Sequence, residues 1–487
     1  MKFVIKLFPE ITVKSDSVRK NMTKILGQNL RTIFRRHEIS ADVQNRWDNL
    51  VVIFNKSDEK TRLDAISILS HTPGIAYALE VAEFPFQTLD EAYQHVRDTY
   101  RERLAGKSFC VRLKRAGNHD FTSNQAEAYM GGGLLKETQA RKVDLHHPEV
   151  TVLAELRNDK VQVVKQSVKG LGGYPLGSQG EVLSLISGGF DSTVASYLMT
   201  RRGLKTHFCF FNLGGSAHEI GVKQVANYLW EKYSESHRVK FITVPFEGVV
   251  AEILKNVDTP QMGVVLKRMM LRAACAIAEN NHISALVTGE AVAQVASQTI
   301  TNLNVIDEVA DRMVLRPLAA MDKQDIINIA RRIGTETFAA KMPEYCGVIS
   351  VNPTVVGDRE KVAIAESKFD FSVLEAAIYN TKYERIDDVL KGEDSGLENL
   401  ELVKTPAPSD IIIDIRHPDE AHDAPLVLPS NTIVALPFYE LEQKIVQLLK
   451  QHDSARFLLY CQKGTMSKIH AHHLNQEHAG RFAVLVG

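Results

Sequence analysis

The sequence predicts a multidomain α/β protein: a doubly wound parallel sheet in mid-chain, α+β modules before it and a smaller α/β domain after it. Three observations carry this reading. A chain of 487 residues is far longer than the roughly 150 of one domain, so about three separate cores are expected. Between Val182 and Val287 short apolar runs alternate with segments of helical spacing, the pattern of parallel strands joined by crossover helices. The last eighty or so residues repeat that pattern on a smaller scale.

The elements follow in order. Val4, Ile5 and Leu7 suggest a strand, Val18 to Arg36 spaces its apolar residues as a helix, and Leu50 to Phe54 returns to strand alternation, which makes residues 1–60 a small α+β domain. Residues 61–167 read as a helix, a strand at Phe109 to Leu113, the basic stretch Lys114-Arg115-Ala116-Gly117-Asn118-His119, a turn at Gly131-Gly132-Gly133 opening or preceding a helix, and two strands around Val150 to Val164. Gly170 to Gly177 imitates a dinucleotide fingerprint, but its last glycine is misplaced and Pro175 stands where the helix should begin; it reads as an interdomain linker. Residues 178–356 then alternate: strand Val182 to Ile186, a helix to Arg202, strand Lys205 to Phe211, a helix from Ala217, strand Val239 to Val244, a long helix around Met262 to Glu279, and strand Ala285 to Val287. Between Asp358 and Glu401 twelve acids face six bases with few apolar runs, and Lys404-Thr405-Pro406-Ala407-Pro408 follows, so 357–405 is expected to be an acidic, partly helical linker. Residues 406–487 hold the small α/β domain, with strands at Ile411 to Ile415, Phe457 to Tyr460 and Phe482 to Val486.

Composition narrows the function classes. A hydrophobic fraction of 44% and a charged fraction of 24% exclude a wholly disordered or fibrous chain. The formal charge of −1 gives no global basic excess, but the first fifty residues hold ten Lys or Arg against five acids, a local surface suited to a polyanion. Five cysteines without a C-x-x-C pair make neither a disulfide scaffold nor a thiolate zinc site, and Cys110, Cys209 and Cys275 fall in strand or helix patterns as core residues. The opening MKFVIKLFPEITVKS lacks the apolar region of a secretory signal and no apolar run nears the ~20 residues of a membrane span, so a cytoplasmic protein without a membrane partner is expected. His470, His472, His473 and His478 make no metal set, since only 470 and 473 share a helix face and no carboxylate joins them; no metal ligands are assigned.

Two motifs carry chemistry. Strand Val182 to Ile186 runs into Ser187-Gly188-Gly189-Phe190-Asp191-Ser192-Thr193 and then a helix that Gly203 ends. Glycines let the backbone turn so that N–H groups face an anion, and the helix N-terminus adds positive potential: a phosphate cradle. No G-x-x-x-x-G-K-[ST] is present, so the lysine that serves γ-phosphate transfer in Walker-type enzymes is missing. The second motif is Cys461-Gln462-Lys463-Gly464-Thr465-Met466-Ser467, between an apolar strand and a helix. A thiol there meets helix N–H groups that favour an anionic sulfur, although a lone cysteine at a strand end is more often inert.

The S-G-G-x-D-S loop resembles the PP-loop of the ATP pyrophosphatases, and the likeness extends through Phe211-Asn212-Leu213-Gly214-Gly215, Lys267-Arg268-Met269-Met270, Thr288-Gly289-Glu290, Gln298-Thr299, Arg316-Pro317-Leu318 with Lys323, and Pro343-Glu344-Tyr345-Cys346-Gly347. Together they resemble the tRNA 4-thiouridine synthetases, the ThiI family, over essentially the whole chain. The resemblance implies an N-terminal ferredoxin-like domain (1–60), a THUMP RNA-binding domain (61–167), a PP-loop adenylation domain (178–356) and a rhodanese-like tail (406–487). It implies that Leu185 and Ile186 contact ATP through backbone, that Ser187, Gly188, Gly189 and Ser192 hold the leaving phosphates, and that Lys267, Gly289 and Gln298 line the nucleotide site. Asp191 would assist metal or pyrophosphate handling, and Lys323 matches a lysine of the catalytic domain. Without the resemblance, Lys267 and Lys323 read equally well as solvated helix faces.

The same resemblance makes Cys461 the persulfide cysteine of a rhodanese loop and Cys346 its redox partner. Many rhodaneses have arginine where Met466 stands here, which weakens capture of a small anionic donor and favours a protein donor, a cysteine desulfurase. The implied reaction uses ATP and Mg²⁺: a tRNA uridine, expected at position 8, is adenylated on O4 with release of pyrophosphate. The Cys461 persulfide then supplies sulfur, directly or as sulfide freed by Cys346, giving 4-thiouridine, AMP and a Cys346–Cys461 disulfide. A sulfur-relay role in making the thiazole of thiamine, through a sulfur-carrier protein, is also implied. The rivals are a sulfur relay with a vestigial ATP site and a non-catalytic tRNA-binding module; the intact loop speaks against both.

Overall fold

The computed structural model describes residues 1–46, 49–213, 216–340, 353–391, 400–416, 421–422, 424–452, 455–461, 465–478 and 480–486. The chain forms two compact units, one of residues 1–180 with 200–204 and 232–237, the other of 181–199, 205–231 and 238–487. Among the described residues no helix is long and apolar enough to cross a membrane.

In the first unit strand Lys2–Leu7 lies antiparallel between Asn49–Phe54 and Ile75–Pro85. Helix Asp16–Arg36 buries Met22, Leu26, Leu30, Ile33 and Phe34, one stripe at helical spacing, against Phe3, Ile5, Leu50 and Val52. Ile75–Pro85 pairs onward with Lys160–Lys169, so one eight-stranded sheet runs through the whole unit. The expected boundary at 60/61 is displaced for this reason. Helix Glu59–His71 gives Ala65, Ile68 and Leu69 to the first core, and a second core of Tyr93, Val96, Tyr100, Phe109 and Val152 begins at Phe86.

The expected turn at Gly131-Gly132-Gly133 is instead the interior of helix Ser123–Glu137, which opens on a capping box between Thr122 and Gln125. A Cβ on Gly133 would lie 2.6 Å from Cζ of the buried Tyr93 ring, so a glycine stripe that looks like a helix breaker is a site of close helix packing.

The second unit holds two sheets. The larger has the order Met313–Leu315, Ala285–Val287, Glu181–Leu185, Lys205–Asn212, Lys240–Pro245 and Lys382–Arg385; the first five strands are parallel, as the alternation predicts, and the sixth is antiparallel. That sixth strand corrects the acidic-linker expectation for 357–405. Helices Arg359–Ser367 and Phe371–Tyr379 precede it, and their acids are not all solvated. Glu366 takes a two-pronged hydrogen bond from buried Arg268 (2.6 and 2.9 Å), while Glu384 pairs with buried Lys223 at 2.8 Å. A count of acids reads as linker because it cannot see the buried bases those acids neutralise. The smaller sheet is all parallel, in the order Leu402–Val403, Phe482–Leu485, Phe457–Tyr460, Ile411–Asp414 and Thr432–Ala435.

Candidate active site

Strand Glu181–Leu185 sits where the order of the larger sheet reverses: the chain builds outward through Lys205–Asn212 and Lys240–Pro245, then returns to Ala285–Val287 on the other flank. The crevice at the carboxyl ends of such strands is where open α/β sheets bind ligands. Ile186 extends the ladder by donating its N–H to Cys209 O at 2.9 Å, and the chain leaves the sheet at Ser187. Gly188 has φ of 81°, a left-handed conformation that a side chain opposes, and helix Phe190–Arg201 begins two residues later.

Serines zip this loop to the helix. Ser192 Oγ accepts from Ser187 N at 3.1 Å and lies 3.0 Å from Ser187 Oγ; beneath it, Ser196 Oγ donates to Ser192 O at 2.8 Å. Gly289 closes the other side, since a Cβ there would fall 2.5 Å from Ser192 N and 2.6 Å from the Asp191 carbonyl carbon. His218 Nε2 lies 3.2 Å from Ser187 O; burial pushes its pKa down, against the pull of that hydrogen bond, so it donates as a neutral imidazole.

Asp191 is held at both oxygens. Oδ1 is 2.8 Å from Lys323 Nζ, and Oδ2 accepts from Gln294 Nε2 at 2.8 Å. Lys323 opens helix Lys323–Ile333, where the helix dipole opposes a cation; the pair with Asp191 compensates, and the ammonium also lies 5.6 Å from the centre of the Phe190 ring.

Next along the chain from Gly289, Glu290 receives Lys267 Nζ and Arg316 Nε at 2.6 and 2.8 Å, Thr288 Oγ1 donates to the same carboxylate at 3.0 Å, and Arg316 grips Asp307 at 2.6 and 2.8 Å. Burial pushes the Glu290 carboxyl up, but the two cations outweigh it and hold its pKa below the ordinary value. Gln298 is buried, its backbone oxygen accepts from Ala293 N at 2.9 Å, and its Oε1 has no partner among the described residues.

The structure therefore gathers Ser187, Gly188, Gly189, Asp191, Ser192, Gly289 and Lys323 at one loop, puts Lys267 beside Glu290, and leaves Leu185 and Ile186 at the strand end. Loop N–H groups, a helix N-terminus and lysines suit a polyphosphate, and the orphaned Gln298 Oε1 is an acceptor for an amino group. Glu290, Arg316, Gln294 and His218 are additions that sequence reasoning did not single out. The first two lie inside the Thr288-Gly289-Glu290 and Arg316-Pro317-Leu318 triplets; Gln294 carried no signal beyond being polar among Ala and Val.

The second centre is Cys461, half-buried directly after the central strand Phe457–Tyr460 of the smaller sheet. Its Sγ accepts from Ser467 Oγ at 2.9 Å and lies 3.4 Å from Ser467 N, in the first turn of helix Thr465–Glu477. Nearby, buried Arg416 forks onto Asp414 at 2.9 and 2.6 Å and lies 4.9 Å from the centre of the Tyr460 ring. Cys110, Cys209 and Cys275 are buried, and burial raises the pKa of Cys209 and Cys275, as suits inert core thiols. Cys346 lies outside the described residues, as do Gln462, Lys463 and Gly464.

The chain is 50% identical over 98% of its length, and 98% of the other's, to a tRNA sulfurtransferase of Tolumonas auensis, and 48% identical at the same coverage to one of Escherichia coli O1:K1. The chain belongs to the tRNA sulfurtransferase family. The model of the thiamine biosynthesis protein family (ThiI) matches residues 177–371, and that of the THUMP domain matches 86–164, the stretch from which the second core of the first unit is built. Among solved structures, a 4-thiouridine synthetase–RNA complex with bound ATP is similar with a TM-score of 0.69 and 25% identity, over 79% of this chain and 99% of that one. A protein of Pyrococcus horikoshii shares the fold, with a TM-score of 0.53 and 19% identity over 69% of this chain and 100% of that one. A tRNA sulfurtransferase is an enzyme, and its reaction class is the transfer of sulfur to tRNA.

Proposed function

We propose that this tRNA sulfurtransferase activates a uridine of tRNA, expected at position 8, by ATP-dependent adenylation of O4 and then replaces the adenylate with sulfur, giving 4-thiouridine, AMP and pyrophosphate. The observation that carries this is the Ser187–Ser192 loop at the switch point, with Asp191 gripped by Lys323. The similar 4-thiouridine synthetase was crystallised with ATP and RNA, which supports the same ligands here.

In the first step uridine O4 attacks the α-phosphorus and the α–β bond breaks. Ser187, Gly188, Gly189 and Ser192 hold the departing pyrophosphate, Lys267 and Lys323 offset its growing charge, and Gly289 and Gln298 with the backbone of Leu185 and Ile186 line the nucleotide. Asp191 is a carboxylate that fits Mg²⁺ together with phosphate oxygens, and the ion when bound would neutralise charge on the pyrophosphate. In the second step the terminal sulfur of a Cys461 persulfide forms a bond to C4 and AMP leaves. Attack by the Cys346 thiolate on Cys461 Sγ then breaks the persulfide bond, frees the thiolated base and forms a Cys346–Cys461 disulfide, which an external thiol must reduce. A cysteine desulfurase reloads Cys461, and the same persulfide serves thiamine thiazole synthesis through a sulfur-carrier protein. The first sixty residues and the THUMP region bind the tRNA.

The test is mass spectrometry of tRNA nucleosides after incubation with labelled ATP, Mg²⁺ and a persulfide donor. Expected are 4-thiouridine and AMP, with AMP formation at least about a hundredfold slower in Asp191→Ala, the scale of losing an electrostatic catalytic group. ADP and phosphate in their place would sink the adenylation step.

A further inference from the structure

We propose that Gln294 is a positioning residue for this reaction: its amide fixes one oxygen of Asp191 while Lys323 takes the other, so that the loop carrying Gln298 also sets the carboxylate of the phosphate loop. The inference rests on the adenylation reading and deepens it by adding a residue that acts through Asp191.

Three observations converge on it. The contact is short, with Gln294 Nε2 2.8 Å from Asp191 Oδ2, opposite Lys323 Nζ at 2.8 Å from Oδ1. A carboxylate with only one oxygen held can still swing about its last bond; held at both, its plane is fixed. The orientation of the amide is also determined by chemistry. Asp191 only accepts, so Gln294 must present its NH₂ group, and its Oε1 is thereby left buried with no partner among the described residues. Leaving a buried carbonyl oxygen unsatisfied is unfavourable, and the loop accepts it in order to aim the amide at Asp191.

The loop itself is the third observation. Ala293, a residue with a side chain, is held at φ 65°. The turn is pinned by Ala293 N donating to Gln298 O at 2.9 Å, Gln298 N to Val295 O at 2.9 Å and Val292 N to Ala319 O at 3.0 Å. Uncommon left-handed backbone at a non-glycine residue persists where surrounding structure over-determines it, and such positions cluster at functional sites. Here the turn puts Gln294 on Asp191 and keeps Gln298 buried four residues later, so one hydrogen-bonded turn carries both side chains.

The experiment uses the full chain with tRNA and labelled ATP and measures AMP formation for Gln294→Met, which keeps the shape and loses the hydrogen bond, and for Gln294→Asn, which keeps the amide and falls one methylene short. In each, the maximal rate should drop roughly tenfold or more, in line with the cost of small misplacements of a catalytic group, while KM for ATP moves less than about threefold. The thermal midpoint should stay with the unmutated chain. In an Asp191→Asn background, Gln294→Met should cost less than about twofold further, because a residue that acts through another is silent once that partner is disabled. Unchanged rates in both variants, or a full additive loss in the Asp191→Asn background, would overturn the inference and leave adenylation standing. ADP from the unmutated chain would overturn the adenylation reading, and the inference with it.

Discussion

At the scale of single residues, the candidate site is a set of charges each answered by another. Glu290 receives Lys267 and Arg316, so its carboxylate sets the direction in which both cations can point. Because its folded pKa lies below the ordinary value, the stability it contributes is present above about pH 4.5 and is lost as pH falls through the folded value. Glu290→Gln should therefore cost about 2–3 kcal/mol at pH 7, since two largely buried cations lose their shared anion. The deficit should shrink as pH falls below the ordinary carboxylate value of about 4.5 and close only once the unmutated carboxyl is itself protonated, below its lowered folded pKa. Thermal melts of both chains at pH 7 and through an acid series below about pH 4.5 check this; a gap that stays constant through the whole series would mean that the charge of Glu290 does not stabilise the fold.

At the scale of elements, helix Ser123–Glu137 offers an internal control, because its adjacent glycines meet different surroundings. A Cβ at Gly132 meets nothing within 4 Å, whereas one at Gly133 would strike Tyr93 at 2.6 Å. Gly132→Ala should stabilise by about 0.5–1 kcal/mol through helix propensity, and Gly133→Ala should destabilise by about 1–3 kcal/mol through overpacking, a difference of sign that urea denaturation resolves. The same contrast shows how much the sequence disclosed. Strand Glu181–Leu185 with its glycine loop, and the strand that ends before Cys461 with the helix from Thr465, were legible because strand and helix signals there are local and agree. Gly131 to Gly133 and the acidic stretch after Asp358 were misread because their meaning lies in distant partners, the Tyr93 ring in one case and Arg268 and Lys223 in the other. Gln294 escaped for the same reason: its role depends on Asp191, 103 residues away in sequence.

At the scale of the molecule, two candidate centres stand on two separate sheets, Asp191 at the switch point of the six-stranded one and Cys461 at the end of the central strand of the five-stranded one. Neither centre contributes a strand to the sheet of the other, so the proposed activation and sulfur delivery should be separable by mutation. Cys461→Ser changes one sulfur to oxygen beside Ser467, leaving strand Phe457–Tyr460 and every contact of the phosphate loop intact. The variant should lose 4-thiouridine formation altogether, since serine cannot carry a persulfide. It should still form AMP and adenylated tRNA at close to the unmutated rate when donor is left out. Two assays on one preparation decide it: trapping of adenylated tRNA without donor, and nucleoside analysis with a protein persulfide donor. Full thiolation by Cys461→Ser would refute the relay, and loss of adenylation in the same variant would show that the tail takes part in activation as well as delivery.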